Sequence, residues 1–346
     1  MTLEAVELLK QLIRIPRQSR QETEAADLLE QKMVEWHLEP QREANNLWSI
    51  TPRMDASRPT LLLNAHIDTV KAAASWQRDP FTPTLEGDNL YGLGSNDDGA
   101  SLVSLLMVYR NLRQEESLPY NLVFLASAEE EVSGKDGIER VLPLLPHIDV
   151  ALVGEPTGMQ PAIAEKGLMV LDITAHGKAG HAARNEGDNA LYRALDDIQI
   201  IRSYQFPKQS ELLGPVKMTA TIIQAGTQHN VIPDTCTFTV DVRSNEFYSN
   251  QEIYETLCRL LKSEVKARSF RLNSSRIDIE HPLVKKATGM GRTPFGSPTL
   301  SDQALMPFPS MKMGPGQSSR SHTADEFIKR SEIREAIELY TSILKS

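Results

Sequence analysis

Residues 121–134 read NLVFLASAEEEVSG, an apolar run that ends in three consecutive glutamates, Glu129, Glu130 and Glu131. Adjacent like charges repel, and a buried carboxylate without a partner either destabilises the fold or takes up a proton. The triplet therefore lies on a solvated turn or against a positive charge. Two other apolar runs end in a similar way. TLLLNA (60–65) is followed by His66-Ile67-Asp68, and VALV (150–153) by Gly154-Glu155-Pro156-Thr157. Between the first two runs lies YGLGSNDDGAS, with Asp97 and Asp98 just ahead of a helical pattern, and SSRSHTADE near the C-terminus holds His322. Singly, each has an ordinary explanation: a solvated loop histidine, a Glu-Pro turn, an Asp that caps the orphan N–H groups of a helix. Together, two imidazoles and several carboxylates are the donors that divalent zinc takes, and two cations would supply the positive charge the triplet needs. Gly92-x-Gly94 is not a dinucleotide fingerprint, because the third glycine position holds Asp97, whose carboxylate would repel a pyrophosphate.

The elements that must position these residues follow from hydrophobic patterning. Continuous apolar runs at 60–65, 121–126 and 150–153 alternate with helical patterns at 100–112 and 138–142. That order predicts an α/β domain with a parallel sheet covered on both faces, whose ligand sites lie beyond the carboxyl ends of the strands. Two helices flank Pro16, and a last one spans 332–344. From residue 166 the texture changes. Segments 168–175, 216–224, 235–242 and 267–277 alternate as half-buried strands do, and 189–203 and 251–262 are amphipathic helices. The order β-α-β-β-α-β is that of a ferredoxin-like split unit. The expected organisation is a catalytic domain of residues 1–165 and 281–346, interrupted by a smaller α+β domain of residues 166–280.

Composition narrows the function classes. The chain has 346 residues and a net charge of −9, from 46 acidic and 37 basic residues. That balance argues against a general binder of nucleic acid or of an anionic membrane. The N-terminal MTLEAVELLKQLIRIP carries charges inside its apolar pattern, as an amphipathic helix does and a signal peptide does not. No run of about 18 uncharged apolar residues exists to span a bilayer. Cys236 and Cys258 form no CxxC pair and are expected to be reduced in a cytoplasmic protein.

The motifs HxDxV at 66–70, Trp76 with DPF at 79–81, YGLGSxD through Asp97, EEE at 129–131, GEPT at 154–157 and GPGxxxxSH ending at His322 also fall in a familiar order. The sequence resembles, over nearly its whole length, the co-catalytic zinc metallopeptidase family of acetylornithine deacetylase, succinyl-diaminopimelate desuccinylase, aminoacylase and glutamate carboxypeptidase. The resemblance implies two zinc ions, for which cobalt or manganese can substitute. His66 and Glu155 would hold the first, Glu131 and His322 the second, and Asp97 would bridge them. It implies that Asp68 fixes the His66 tautomer, that Glu130 is the general base, and that the Asp97–Asp98 peptide is cis. His181, in GKAGHAAR, would donate to the developing oxyanion; in dimeric relatives the partner supplies it, which implies a homodimer through the inserted domain. Asn230 (HNVIP) and Arg243 (VDVRS) match positions that contact the substrate's α-carboxylate or carbonyl. Arg276 and Arg320 could each meet a second substrate carboxylate or lie in solvent.

Three departures mark a distinct branch. DDGA stands where the family often has DxKG, EEE where it has DEE, and Ser133 where a glycine follows. AEKGLMVLDITAHGKAGHAAR is nearest the acetylornithine deacetylase branch. The expected reaction is thus hydrolysis of N2-acetyl-L-ornithine to L-ornithine for arginine biosynthesis. Alternatives are an N-succinyl-L-ornithine or succinyl-diaminopimelate desuccinylase, a di- or tripeptidase, and a non-catalytic metal-binding scaffold. The scaffold reading has to explain why the base and all five ligands are kept.

Overall fold

The computed structural model describes residues 1–184 and 186–345. The chain forms two compact units, one of Met1–Ile163, Arg276–Phe295 and Ser301–Ser346, the other of Ala164–Ser275 and Gly296–Leu300.

The first unit is built on a mainly parallel sheet. Strand Thr60–His66 pairs in parallel with Asn121–Ser127 on one side and Val150–Val153 on the other. Ser310–Lys312 adds a further parallel strand beside Val150–Val153. Antiparallel pairing flanks these four, where Asn46–Ile50 joins Asn121–Ser127 and Ala162 joins Lys312. Every residue of the three strands first named is buried, as continuous apolar runs require when helices cover both sheet faces. Helix Ala100–Leu112 is buried almost all round and packs against helices Thr2–Ile13 and Arg330–Lys345. The C-terminal helix thus starts two residues before its expected position. Ser310–Lys312 went unread in the sequence because three residues carry no periodicity, and one of them is a buried lysine.

The second unit has a four-stranded antiparallel sheet in the order Lys217–Ala225, Thr235–Arg243, Met169–His176, Glu264–Ala267, with helices Ala190–Ser203 and Asn250–Leu260. The β-α-β-β-α-β order holds. Two expectations are corrected. The last strand is Glu264–Ala267 and not 267–277, because pairing with Met169–His176 ends at Ala267 and the buried Asn250 side chain then holds the Leu272 carbonyl at 2.7 Å. Strand Lys217–Ala225 is exposed along nearly its whole length rather than half-buried. It is the free edge of the sheet, and an irregularity between Ala220 and Ile222 breaks its two-residue alternation. Cys236 and Cys258 are free thiols. Among the described residues no helix is long and apolar enough to cross a membrane.

Candidate active site

The parallel register brings the three strand ends to one edge of the first unit. His66 closes its strand, Glu129–Glu131 follow Asn121–Ser127, and Glu155 follows Val150–Val153. Asp97 sits in the irregular turn that leads into helix Ala100–Leu112, and the Asp97–Asp98 peptide is cis, as expected. His322 lies just beyond the short turn Ser318–Arg320.

Asp97 stands between the two imidazoles. Its Oδ1 is 3.2 Å from His66 Nε2 and its Oδ2 is 3.6 Å from His322 Nε2. On its other side His322 Nε2 is 3.0 Å from a Glu131 oxygen. His66, Asp97 and Glu131 offer ligand atoms all within 4.8 Å of one another, and so do His66, Glu130 and Glu155. The second group contains Glu130, which the sequence reading assigns as base and not ligand; its Oε2 is 3.9 Å from His66 Nε2.

Asp68 organises the surroundings. It is fully buried and accepts the Ser19 hydroxyl at 2.7 Å and the N–H groups of Glu130 at 3.0 Å and Glu131 at 3.2 Å. His66 Nδ1 lies 3.0 Å from the Asp68 carbonyl and 3.4 Å from its carboxylate. Both are acceptors, so Nδ1 carries a proton, which leaves Nε2 as the ring nitrogen available to a metal ion. Glu129 lies away from this cluster. Its N–H reaches Glu22 at 3.2 Å, and its side chain lies over Gly134, where an added Cβ would meet Glu129 Oε2 at 1.7 Å. The glutamate triplet is therefore divided, with Glu130 and Glu131 among the candidate ligands and Glu129 outside them.

The electrostatics follow from packing acids together. Burial and the neighbouring charge of Glu155 push Glu130 well above the usual carboxylate range. Burial and Asp97 do the same to Glu155, with buried Lys312 acting in the opposite sense. Burial opposes the charged form of His66, but hydrogen bonds that its ring donates to Asp68 and Asp97 outweigh it and raise its pKa well above normal. Contact with Glu131 raises His322 to about 8. Buried acids arranged so closely with neutral-capable imidazoles suit divalent cations, whose charge offsets the repulsion that raises Glu130 and Glu155. The residues present fit such ions: nitrogen and carboxylate donors, a carboxylate between the two imidazoles and a partner fixing one ring.

Several residues of this region escaped the sequence reading. Arg17, 1% exposed, reaches main-chain carbonyls of the His66 and Asp97 loops, and Glu326, 2% exposed, accepts N–H groups from the latter. Asp302 accepts the Ser127 hydroxyl at 2.5 Å, and burial pushes its carboxyl up to about 6. Glu326 stands within the SSRSHTADE stretch already singled out; nothing in the local sequence marks Arg17 or Asp302.

His181, Asn230 and Arg243 belong to the second unit. His181 is exposed and pairs with Val231, and the Ala182 N–H reaches the Asn230 carbonyl at 3.0 Å, so His181 and Asn230 lie side by side. Arg243 makes a two-point contact with Asp241 at 2.8 and 3.1 Å. In the first unit, Arg276 is exposed. Arg320 is engaged within the fold, gripping Glu332 at 2.7 and 3.1 Å and stacking on Phe327 with its Cζ 4.5 Å from the ring centre.

Comparison with known proteins shows the family. The family described as peptidase family M20/M25/M40 matches residues 62–346. A succinyl-diaminopimelate desuccinylase of Corynebacterium glutamicum is 27% identical, over 92% of this chain and 90% of its own. Among solved structures, a tripeptidase from Staphylococcus aureus superposes with a TM-score of 0.75 at 18% identity, covering 100% of this chain and 98% of its own. A dinuclear metal-binding peptidase of the M20 family from Bacillus subtilis superposes with a TM-score of 0.74 at 17% identity, covering 99% and 97%. The chain belongs to peptidase family M20/M25/M40 and is a metal-dependent hydrolase of amide bonds.

Proposed function

We propose that this M20/M25/M40 family hydrolase carries two metal ions and removes the acyl group from an N-acyl amino acid, with an N2-acyl-L-ornithine as substrate. The observation that carries the proposal is the set His66, Asp97, Glu131, Glu155 and His322 at one sheet edge, with Glu130 3.9 Å from His66 Nε2. His66, Asp97 and Glu155 would hold one ion; Asp97, Glu131 and His322 would hold the other. Nitrogen and oxygen donors suit zinc, and cobalt or manganese accept the same donors. When bound, such ions polarise the scissile carbonyl and make the attacking water acidic near neutral pH.

The remaining steps fall to the protein. Glu130 would take a proton from the water and return it to the departing amine, a role its place 3.9 Å from His66 Nε2 allows. Asp68 holds the His66 ring and the main chain of Glu130 in place. His181 and Asn230 would donate to the substrate's carbonyl oxygen as charge develops there, and Arg243 would meet the α-carboxylate.

The run AEKGLMVLDITAHGKAGHAAR supports an acetyl group, giving L-ornithine for arginine biosynthesis. A succinyl group is the second reading. The desuccinylase from Corynebacterium glutamicum, similar over nearly the whole chain, favours it, and exposed Arg276 offers a guanidinium for a second carboxylate. The enzyme would act as a cytoplasmic homodimer joined through the second unit. Its exposed edge strand carries Ile222 and Ile223, and helix Ala190–Ser203 exposes Tyr192 and Leu195, a surface suited to pairing with a second copy.

The test is amine release from N-acetyl-ornithine, N-succinyl-ornithine, N-succinyl-diaminopimelate and a few dipeptides, with zinc or cobalt added. Preference for one acyl-ornithine supports the proposal and identifies the acyl group. Cleavage of dipeptides alone would keep the metal chemistry and discard the substrate. Two bound ions with no turnover of any compound would favour the non-catalytic scaffold.

A further inference from the structure

We infer that Arg17 and Glu326 are positioning residues that clamp the loop carrying Asp97 and thereby set how tightly the second of two metal ions is held. The inference rests on the dinuclear reading above.

The clamp closes on Gly94. Glu326 Oε2 accepts the Gly94 N–H at 3.0 Å, and Arg17 Nη2 donates to the Gly94 carbonyl at 2.8 Å. Glu326 Oε1 also accepts the N–H groups of Asn96 at 2.7 Å and of Asp97 itself at 2.9 Å. Arg17 Nη1 donates to the carbonyl of Ile67, the residue between His66 and Asp68. One guanidinium thus joins the His66 loop to the Asp97 loop. One carboxylate, four residues beyond His322, joins the Asp97 loop to the His322 segment. Asn96 strengthens that second link, its side chain donating to the Gln317 carbonyl at 3.1 Å and accepting the Gln317 N–H at 3.0 Å.

Glycine at position 94 is part of the device. Its φ is +70°, and a Cβ there would lie 2.4 Å from Arg17 Nη2. Only glycine lets the guanidinium come this close to the main chain. The clamp is also costly to keep. Arg17 is buried at 1% exposure and Glu326 at 2%, and the bonds just described all go to main-chain groups rather than to candidate ligand side chains. Charge-assisted bonds to main-chain groups of ligand-bearing loops offset that burial, and the same bonds fix Asp97 between the two imidazoles. Asp97 would serve both ions, so a loosened Asp97 loop costs the more weakly held ion first.

The experiment uses the full chain stripped of metal. Zinc uptake is followed by calorimetry and cobalt uptake by visible absorption, with circular dichroism reporting folding, for the wild type, Glu326→Gln and Arg17→Lys. Wild type should take up two ions. Glu326→Gln puts an amide N–H against a main-chain N–H and should weaken one ion by about 10- to 100-fold, with an altered cobalt spectrum. Arg17→Lys keeps the charge with fewer donors; it should fold and show the same effect more weakly. If Glu326→Gln fails to fold, Arg17→Lys decides. A folded variant that binds both ions with wild-type affinity and spectrum overturns the clamp. A wild type that binds fewer than two ions overturns the dinuclear reading instead.

Discussion

The Asp68 carboxylate accepts the main-chain N–H of Glu130 at 3.0 Å. The same buried side chain accepts the N–H of Glu131, takes the Ser19 hydroxyl and faces His66 Nδ1, so it ties one candidate ligand's ring to the segment that carries another candidate ligand and the proposed base. Asp68→Ala strands these donors. It should destabilise the metal-free protein by about 1–3 kcal/mol or more and weaken metal binding by about 10- to 100-fold. Denaturant melts in chelator and a metal titration measure the two effects; unchanged metal affinity would restrict Asp68 to a structural role.

Glu130→Gln preserves shape and removes the proposed base. Turnover should fall by about 10²- to 10⁴-fold while both ions are retained. Kinetics and metal content on the same preparation check this. Near-normal activity would exclude Glu130 as base, whereas loss of an ion would make it a ligand beside His66 and Glu155.

Chelation should abolish activity, and zinc or cobalt should restore it. Metal bound only by the folded state should raise the melting temperature with concentration, by about 2.7 kcal/mol of stability at a hundredfold excess over Kd. Contact with Glu131 raises His322 to about 8, so below that pH a proton competes with the metal for its ring. Affinity should therefore increase as pH rises toward about 8, with proton release detectable by calorimetry in buffers of different ionisation heat. Affinity independent of pH between 6 and 8 would remove His322 from the ligand set.

Gly94→Ala should be destabilising on two counts. A left-handed backbone costs a non-glycine residue roughly 1–2 kcal/mol, and the added methyl would lie 2.4 Å from both Arg17 Nη2 and Thr69 Cγ2, adding about 1–3 kcal/mol. Thermal or urea melts measure the loss. A melt like that of wild type would show that the Arg17 contact yields easily.

Ile222→Glu places a charge on the exposed edge strand of the second unit. If two copies pair there, light scattering should give a dimer for wild type and a monomer for the variant, both folded. A dimer that survives Ile222→Glu and Ile223→Glu together would locate the interface elsewhere.

Much of the candidate site was legible because its signals are local. Three apolar runs stop abruptly ahead of His66, Glu129 and Glu155, and parallel pairing of those runs necessarily delivers these residues to one edge. The β-α-β-β-α-β order of the second unit was equally local, a matter of alternating and helical periods. Where a pattern outlasted its partner strand, as at 267–277, periodicity misled, because pairing and not alternation ends a strand. Lys217–Ala225 reads in sequence as a half-buried strand yet is exposed, since burial depends on what packs against a strand. Arg17, Asp302 and Glu326 act on groups brought close only by folding, Arg17 on Gly94 across 77 positions and Glu326 on Asn96 across 230. The sequence by itself determined which candidate ligands gather at the strand ends, because residues that follow an apolar run are a property of neighbouring positions. Only the tertiary structure decided how that chemistry is held, because the restraining partners are main-chain groups, which every residue carries and no sequence pattern marks.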